Sequence, residues 1–199
     1  MAAGFVMGVI AIVLLARGGW IRFHFNRDYA RSALRYGMPL VFHALGAVTA
    51  SMADRTLIKN LVSINETGLY VVAAQIAMAI TFLADSFNRA YEPWLFEKLK
   101  EGNPTVMRRI VVGTYWYFAA MLLLAGLFVL AAPLVVSFVV GPKFSGATQY
   151  MLWLSLASAF GGMYYMVTLY IQFSGKTERL AIVTLTGGAL NITLCYAFI

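Results

Sequence analysis

Few of the 199 residues carry side chains able to do chemistry, and the strongest of them stand in otherwise apolar stretches. Asp85 and Arg89 are four residues apart with the acid first, the orientation in which a helical carboxylate and guanidinium pair best. Such a pair can close on itself and lower the cost of placing charge in hydrocarbon. Alternatively, Arg89 can offer its planar fork of donors to a phosphate. Asp54 and Arg55 are adjacent, and neighbouring helical residues point about 100° apart, so the two do not neutralise each other along a helix. The long stem of Arg55 can reach a membrane interface, whereas Asp54 needs a buried partner or a hydrated path. At 100° per residue His43, Ala47, Ala50 and Asp54 fall within about 60° of one another, flanked by Gly46 and Ser51, with Val41, Leu45, Val48 and Met52 opposite. Gln75, Asp85, Ser86 and Arg89 form a second polar arc, with Thr81 and Asn88 at its edge and Ile76, Ile80, Leu83 and Phe87 facing away. His43, Asp54, Arg55, Gln75, Asp85 and Arg89 are therefore the candidate cavity residues.

Other chemistries find no foothold. Cys195 is the sole cysteine, which excludes an internal disulfide and a multi-cysteine metal site. His24 and His43 lack partners at ligand spacing, so no metal is expected. There is no Gly-rich phosphate loop, nucleophile elbow or zinc-type His-Glu motif, and Asn65-Glu66-Thr67 matches a glycosylation acceptor only as a common tripeptide. Neither a cofactor nor an enzyme activity is indicated.

The elements that must position these residues are membrane helices. Apolar residues make up 61% of the chain and charged ones 12%, and the mean hydropathy is +0.78, which places the chain outside the range of soluble domains. A spanning helix needs about 20 mostly apolar residues. Cutting at the charges leaves five such spans, at 37–57, 68–91, 110–140, 148–173 and 180–199, plus an apolar stub at 2–16 that reads as a truncated helix. No basic residue precedes the stub, as a secretory signal would require. The chain stops inside an apolar run, so it is expected to be a fragment. The predicted class is all-α: one polytopic transmembrane bundle over 1–199, with a basic cytoplasmic linker at 17–36.

Run 110–140 is uncharged and would measure about 46 Å as one straight helix, too long for the core. Pro133 is the natural break, giving either one kinked span or two short ones. A single span puts Arg17, Arg22, Arg27, Arg31 and Arg35, then Lys98, Lys100, Arg108 and Arg109, then Lys176 and Arg179 on one side. Lys59 and Lys143 alone face the other. That asymmetry is the one expected when the rich side is cytoplasmic, so a single kinked span is predicted. The net charge of +7 then belongs to cytoplasmic loops and calls for no nucleic acid. Ser158 with Gly162, and Thr184, Gly188, Asn191 and Cys195, form small-residue stripes suited to close helix packing, and Gly161-Gly162 marks a weak point in a helix.

Several segments resemble the oligosaccharide and polysaccharide flippases of the superfamily that also holds multidrug extruders and the peptidoglycan-precursor flippase. Arg35-Tyr36-Gly37-Met38-Pro39-Leu40 is similar to the opening of that family's seventh helix, and Asp54-Arg55 to its end. Gly68-Leu69-Tyr70 resembles the start of the eighth, and Phe87-Asn88-Arg89-Ala90-Tyr91-Glu92-Pro93-Trp94 its close. Gly175-Lys176-Thr177 and Asn191 resemble the turn before, and the interior of, the eleventh.

The resemblance implies a piece running from the end of the sixth helix through the eleventh, that is, the second lobe of an inverted V around a central cavity. It implies alternating access that carries a polyprenyl-diphosphate-linked oligosaccharide to the outer leaflet of the inner (plasma) membrane, in cell-surface polysaccharide biosynthesis. Implied partners are the lipid-linked oligosaccharide, the bilayer and polysaccharide polymerase machinery. An ion-coupled drug or small-molecule exporter of the same superfamily is the alternative, with Asp54 or Asp85 as ion relay. A membrane enzyme acting on lipid-linked sugars is a second, disfavoured by short outer loops at 60–67 and 141–147.

Overall fold

A computed structural model describes residues 2–19 and 26–198, with side chains throughout them except at 2–5, 50, 51, 54 and 198. Arg22 and His24 lie outside the described residues. Helix α1 covers Ala2–Arg17, α2 Arg27–Leu61, α3 Ile64–Glu101, α4 Pro104–Val135, α5 Thr148–Phe173 and α6 Thr177–Phe198. A π-turn at Val136–Val140 extends α4, and a 3-10 turn at Pro142–Ala147 leads into α5. No strand occurs among the described residues, as the all-α expectation required.

The chain divides into two compact units, Met1–Arg35 and Tyr36–Ile199. In the first, α1 exposes every side chain described in it. Asn26 caps the first turn of α2, its Oδ1 accepting from the Asp28 N–H at 2.9 Å and the Tyr29 N–H at 3.3 Å. Helix α2 thus begins inside the basic stretch, with Arg27, Arg31 and Arg35 at four-residue spacing.

In the second unit the turns follow from local chemistry. Ser63 caps α3 by accepting from the Glu66 N–H at 3.1 Å. Gly102 ends α3 in the left-handed conformation at φ 65°, where a side chain would be strained, and Asn103 with Pro104 opens α4 at once. Gly175, at φ 70°, turns α5 into α6.

The core lies where α3, α4 and α5 meet, in three layers. Ala73, Ala132 and Met151 share the first; Ile80, Ala84, Met121, Ala125 and Ala159 the second; Leu95, Ile110 and Leu169 the third. Numbers rise along α3 and α5 while they fall along α4, so α4 is antiparallel to both and α3 runs parallel to α5. The inner face of α3 is Ala73, Ala77, Ile80, Ala84, Asn88 and Leu95. Small side chains let backbones approach, and van der Waals contact then holds the helices where lipid offers no hydrophobic drive.

Two hydrogen bonds fix α2 against α6. Thr177 Oγ1 donates to the Tyr36 carbonyl at 3.0 Å, and His43 Nδ1 lies 2.5 Å from Thr184 Oγ1. Both pairs are separated by 141 residues, so the two helices run parallel. Three crossings between them return the chain to its starting direction only if α4 crosses once. Helical backbone indeed continues through Pro133, and the Gly141 N–H reaches back to the Val136 carbonyl at 2.9 Å in the wider π spacing. A single span at 110–140 agrees with this, and the irregularity follows the proline as a π-turn.

The chain is a membrane protein. By length and composition, four helical segments among the described residues can cross a bilayer: Ile64–Glu101, Pro104–Val140, Pro142–Phe173 and Thr177–Ala197. The span expected at 37–57 is helical but is not among the four, because Pro39, His43 and Thr49 dilute its apolar run.

Candidate functional site

The six candidate residues fall on two helices, and among the described residues no hydrogen bond or ion pair joins the α2 set to the α3 set. On α2, Val41, Leu45, Val48 and Met52 are exposed, as a lipid-facing stripe would be, while His43 and Gly46 are half-buried toward α6. A Cβ on Gly46 would lie 3.2 Å from Leu185 Cδ2 and 3.4 Å from Thr184 Cγ2, so glycine is what allows this approach. Arg55 is exposed, and the side chain of Asp54 lies outside the description.

His43 is one end of a three-helix polar cluster. Thr184 of α6 contacts both His43 and, at 3.1 Å, the Tyr164 hydroxyl of α5, whose ring centroid lies 6.1 Å from the imidazole. A hydroxyl both donates and accepts, so the cluster can be ordered in either sense: toward a neutral imidazole whose Nδ1 accepts, or away from one whose Nδ1 carries a proton. Beside it Phe42, Gly46, Thr49, Thr184, Gly188 and Ile192 are among the residues lining a largely apolar groove of about 290 Å³.

On α3, Arg89 Nε donates to Asp85 Oδ2 at 2.7 Å, the intrahelical pair that the spacing predicted. Both side chains remain accessible, 77% for Arg89 and 42% for Asp85, so neither is shut inside the bundle. Gln75 and Ser86 are exposed on the same arc. The apolar face expected opposite it is only half correct. Ile80 is buried, but Leu83 and Phe87 are exposed, because the alanines rather than the large residues face α4 and α5.

Asn88, placed by sequence at the edge of the arc, belongs instead to the core. Its Nδ2 donates to the Ala84 carbonyl at 2.8 Å and to the Tyr117 hydroxyl at 3.1 Å, and that hydroxyl donates to the Gly162 carbonyl at 3.1 Å. At this crossing a Cβ on Gly162 would fall 2.8 Å from Ala84 Cβ and 2.9 Å from Met121 Sδ. Gly162 thus lies on a packed stripe with Met151, Ser155, Ala159 and Met166, while Ser158 is half-buried at its edge. Among the described residues Asn88 Oδ1 and Ser155 Oγ are buried without a hydrogen-bond partner. The Asn88–Tyr117 link could not be found by periodicity within one helix, since it joins residues on two.

Near the start of α3 the Tyr150 hydroxyl donates to Glu66 Oε2 at 2.5 Å, with Gln149 Nε2 at 3.5 Å. Cys195 Sγ faces Asn191 Oδ1 at 3.9 Å, one turn away. Among the described residues no group of His, Cys, Asp and Glu is gathered as a metal site.

Comparison with known proteins adds a family. Residues 1–99 match the family described as polysaccharide biosynthesis protein, a stretch that includes all six candidates. Two proteins of Haemophilus influenzae are similar: the Lsg locus protein 1, 22% identical over 148 residues, and an uncharacterized membrane protein, 28% identical over 153 residues. Each match covers 74% of this chain but only 37% and 36% of the relatives, so the chain spans little more than a third of the curated relatives it matches. No solved structure matches it.

Proposed function

Over residues 1–99 this chain belongs to the polysaccharide biosynthesis protein family, and from that premise we propose that the whole protein is a flippase. It moves a polyprenyl-diphosphate-linked oligosaccharide to the outer leaflet of the inner membrane and is a carrier rather than an enzyme. The observation that supports this reading is the Asp85–Arg89 pair. It sits on a helix long enough to span the bilayer, yet both side chains stay accessible on a face that α4 and α5 leave open. Charge turned toward lipid is costly, most of all at mid-membrane, so such groups face protein or water. A hydrated cavity completed by the rest of the protein satisfies them.

In this mechanism Arg89 meets the diphosphate, while Asp54, His43 and Gln75 meet the hydrated sugar. The ligand favours one cavity orientation because it binds the two states differently. The test is outward movement of the lipid-linked glycan in vesicles containing the full-length protein. Arg89→Ala and Asp54→Ala, at equal folding, should each slow it. Normal rates in both would overturn these assignments.

A further inference from the structure

We propose that the N-terminal part of α4 is a binding site for an anionic phospholipid, its phosphate held by Arg108 and Arg109 and its acyl chain laid along the exposed face of the helix. Of the basic residues around the α3–α4 turn, Lys98 is held by Glu97 at 3.5 Å and Glu101 at 2.5 Å. Arg108 and Arg109 are exposed, and no acidic side chain pairs with either among the described residues. They stand at the mouth of a surface hollow of about 430 Å³ lined by Thr105, Arg108, Arg109, Val112, Gly113 and Trp116.

Shape points to a lipid rather than to a small anion. Helical side chains lean toward the N-terminus, so Trp116, 73% exposed, leans back along the shelf that Gly113 leaves bare. At 100° per residue Val112, Trp116 and Leu123 follow the arginines on one stripe, and all three are exposed. From Val112 to Leu123 the stripe rises about 16 Å, close to half of the roughly 30 Å hydrocarbon core, which is the depth of one leaflet. Two unpaired guanidinium groups at the headgroup level, an indole below them and an apolar strip one leaflet deep together match a phosphate with a chain attached. This inference does not rest on the flippase reading, since a protein that transported nothing would still hold the lipid here.

The full-length protein is exchanged into phosphatidylcholine nanodiscs containing phosphatidylglycerol, and the lipid retained after detergent extraction is weighed by mass spectrometry. Each of Arg108→Gln and Arg109→Gln should lower retained phosphatidylglycerol about fivefold, the value of one basic residue near an anionic surface. Gly113→Leu should lower it as well by filling the shelf. A Cβ at Gly113 meets nothing within 4 Å, so this variant tests the hollow and spares the fold. Lys98→Gln should leave retention unchanged. Equal retention in all variants would overturn the proposal, as would an equal loss in Lys98→Gln, which would mean attraction to surface charge in general. Release of the lipid by inorganic phosphate alone would also overturn it, because the site would then read the anion without the chain.

Discussion

His43 Nδ1 lies 2.5 Å from the Thr184 hydroxyl, and the two residues are 141 positions apart on helices that run parallel. With the Thr177–Tyr36 bond one heptad earlier at the same offset, this contact sets the register of α2 on α6. Thr184→Val removes the shared hydroxyl from both His43 and Tyr164. Interhelical hydrogen bonds in membranes average about 0.6 kcal/mol and reach about 1.7, so a loss within that range is expected. Steric-trapping or denaturant unfolding in bicelles measures it, and a cycle with His43→Phe should show coupling. Additive losses would mean that the contact contributes nothing.

The two adjacent glycines of α5 should behave oppositely. Gly162→Ala places a methyl group 2.8 Å from Ala84 Cβ, which is attached directly to the backbone and cannot swing aside, so α3 and α5 must part at a cost of about 1–3 kcal/mol. Gly161 meets nothing within 4 Å, and Gly161→Ala should be neutral or stabilising by up to about 1 kcal/mol. Thermal unfolding of the two variants in detergent decides it. Equal effects would contradict the crossing.

Sequence showed the helices clearly and their faces less well. Runs without charge and Asp85 four residues before Arg89 are local signals, and each appears in the structure where its chemistry predicts. The inner face of α3 was hidden because in lipid large apolar residues do not identify the protein-facing side. Leu83 and Phe87 face outward while Ala73, Ala77 and Ala84 pack. The partners of His43 and Asn88 lie on other helices, so no single-helix periodicity could reveal them.

Sidedness is a further test. With Cys195 replaced by Ala, a cysteine introduced at Gly102 should react with an impermeant maleimide only from the cytoplasmic side, and one at Lys143 only from outside. Labelling of both from one side would mean that α4 crosses twice or not at all, against the parallel register of α2 and α6.

Exchanging the charges of the α3 pair separates its two roles. Asp85→Arg with Arg89→Asp keeps an intrahelical pair and should insert and fold normally. If Arg89 meets the substrate's diphosphate, transport should fall as far in the exchange as in Arg89→Ala. Restored transport would reduce the pair to an aid to insertion.

The most direct measurement follows a lipid-linked oligosaccharide in vesicles that carry the full-length protein, scoring the fraction of glycan reached by a sugar-cleaving enzyme added outside. The glycan should become accessible faster than in protein-free vesicles. No acceleration, or uptake of cationic drugs driven by an imposed ion gradient in its place, would contradict the account.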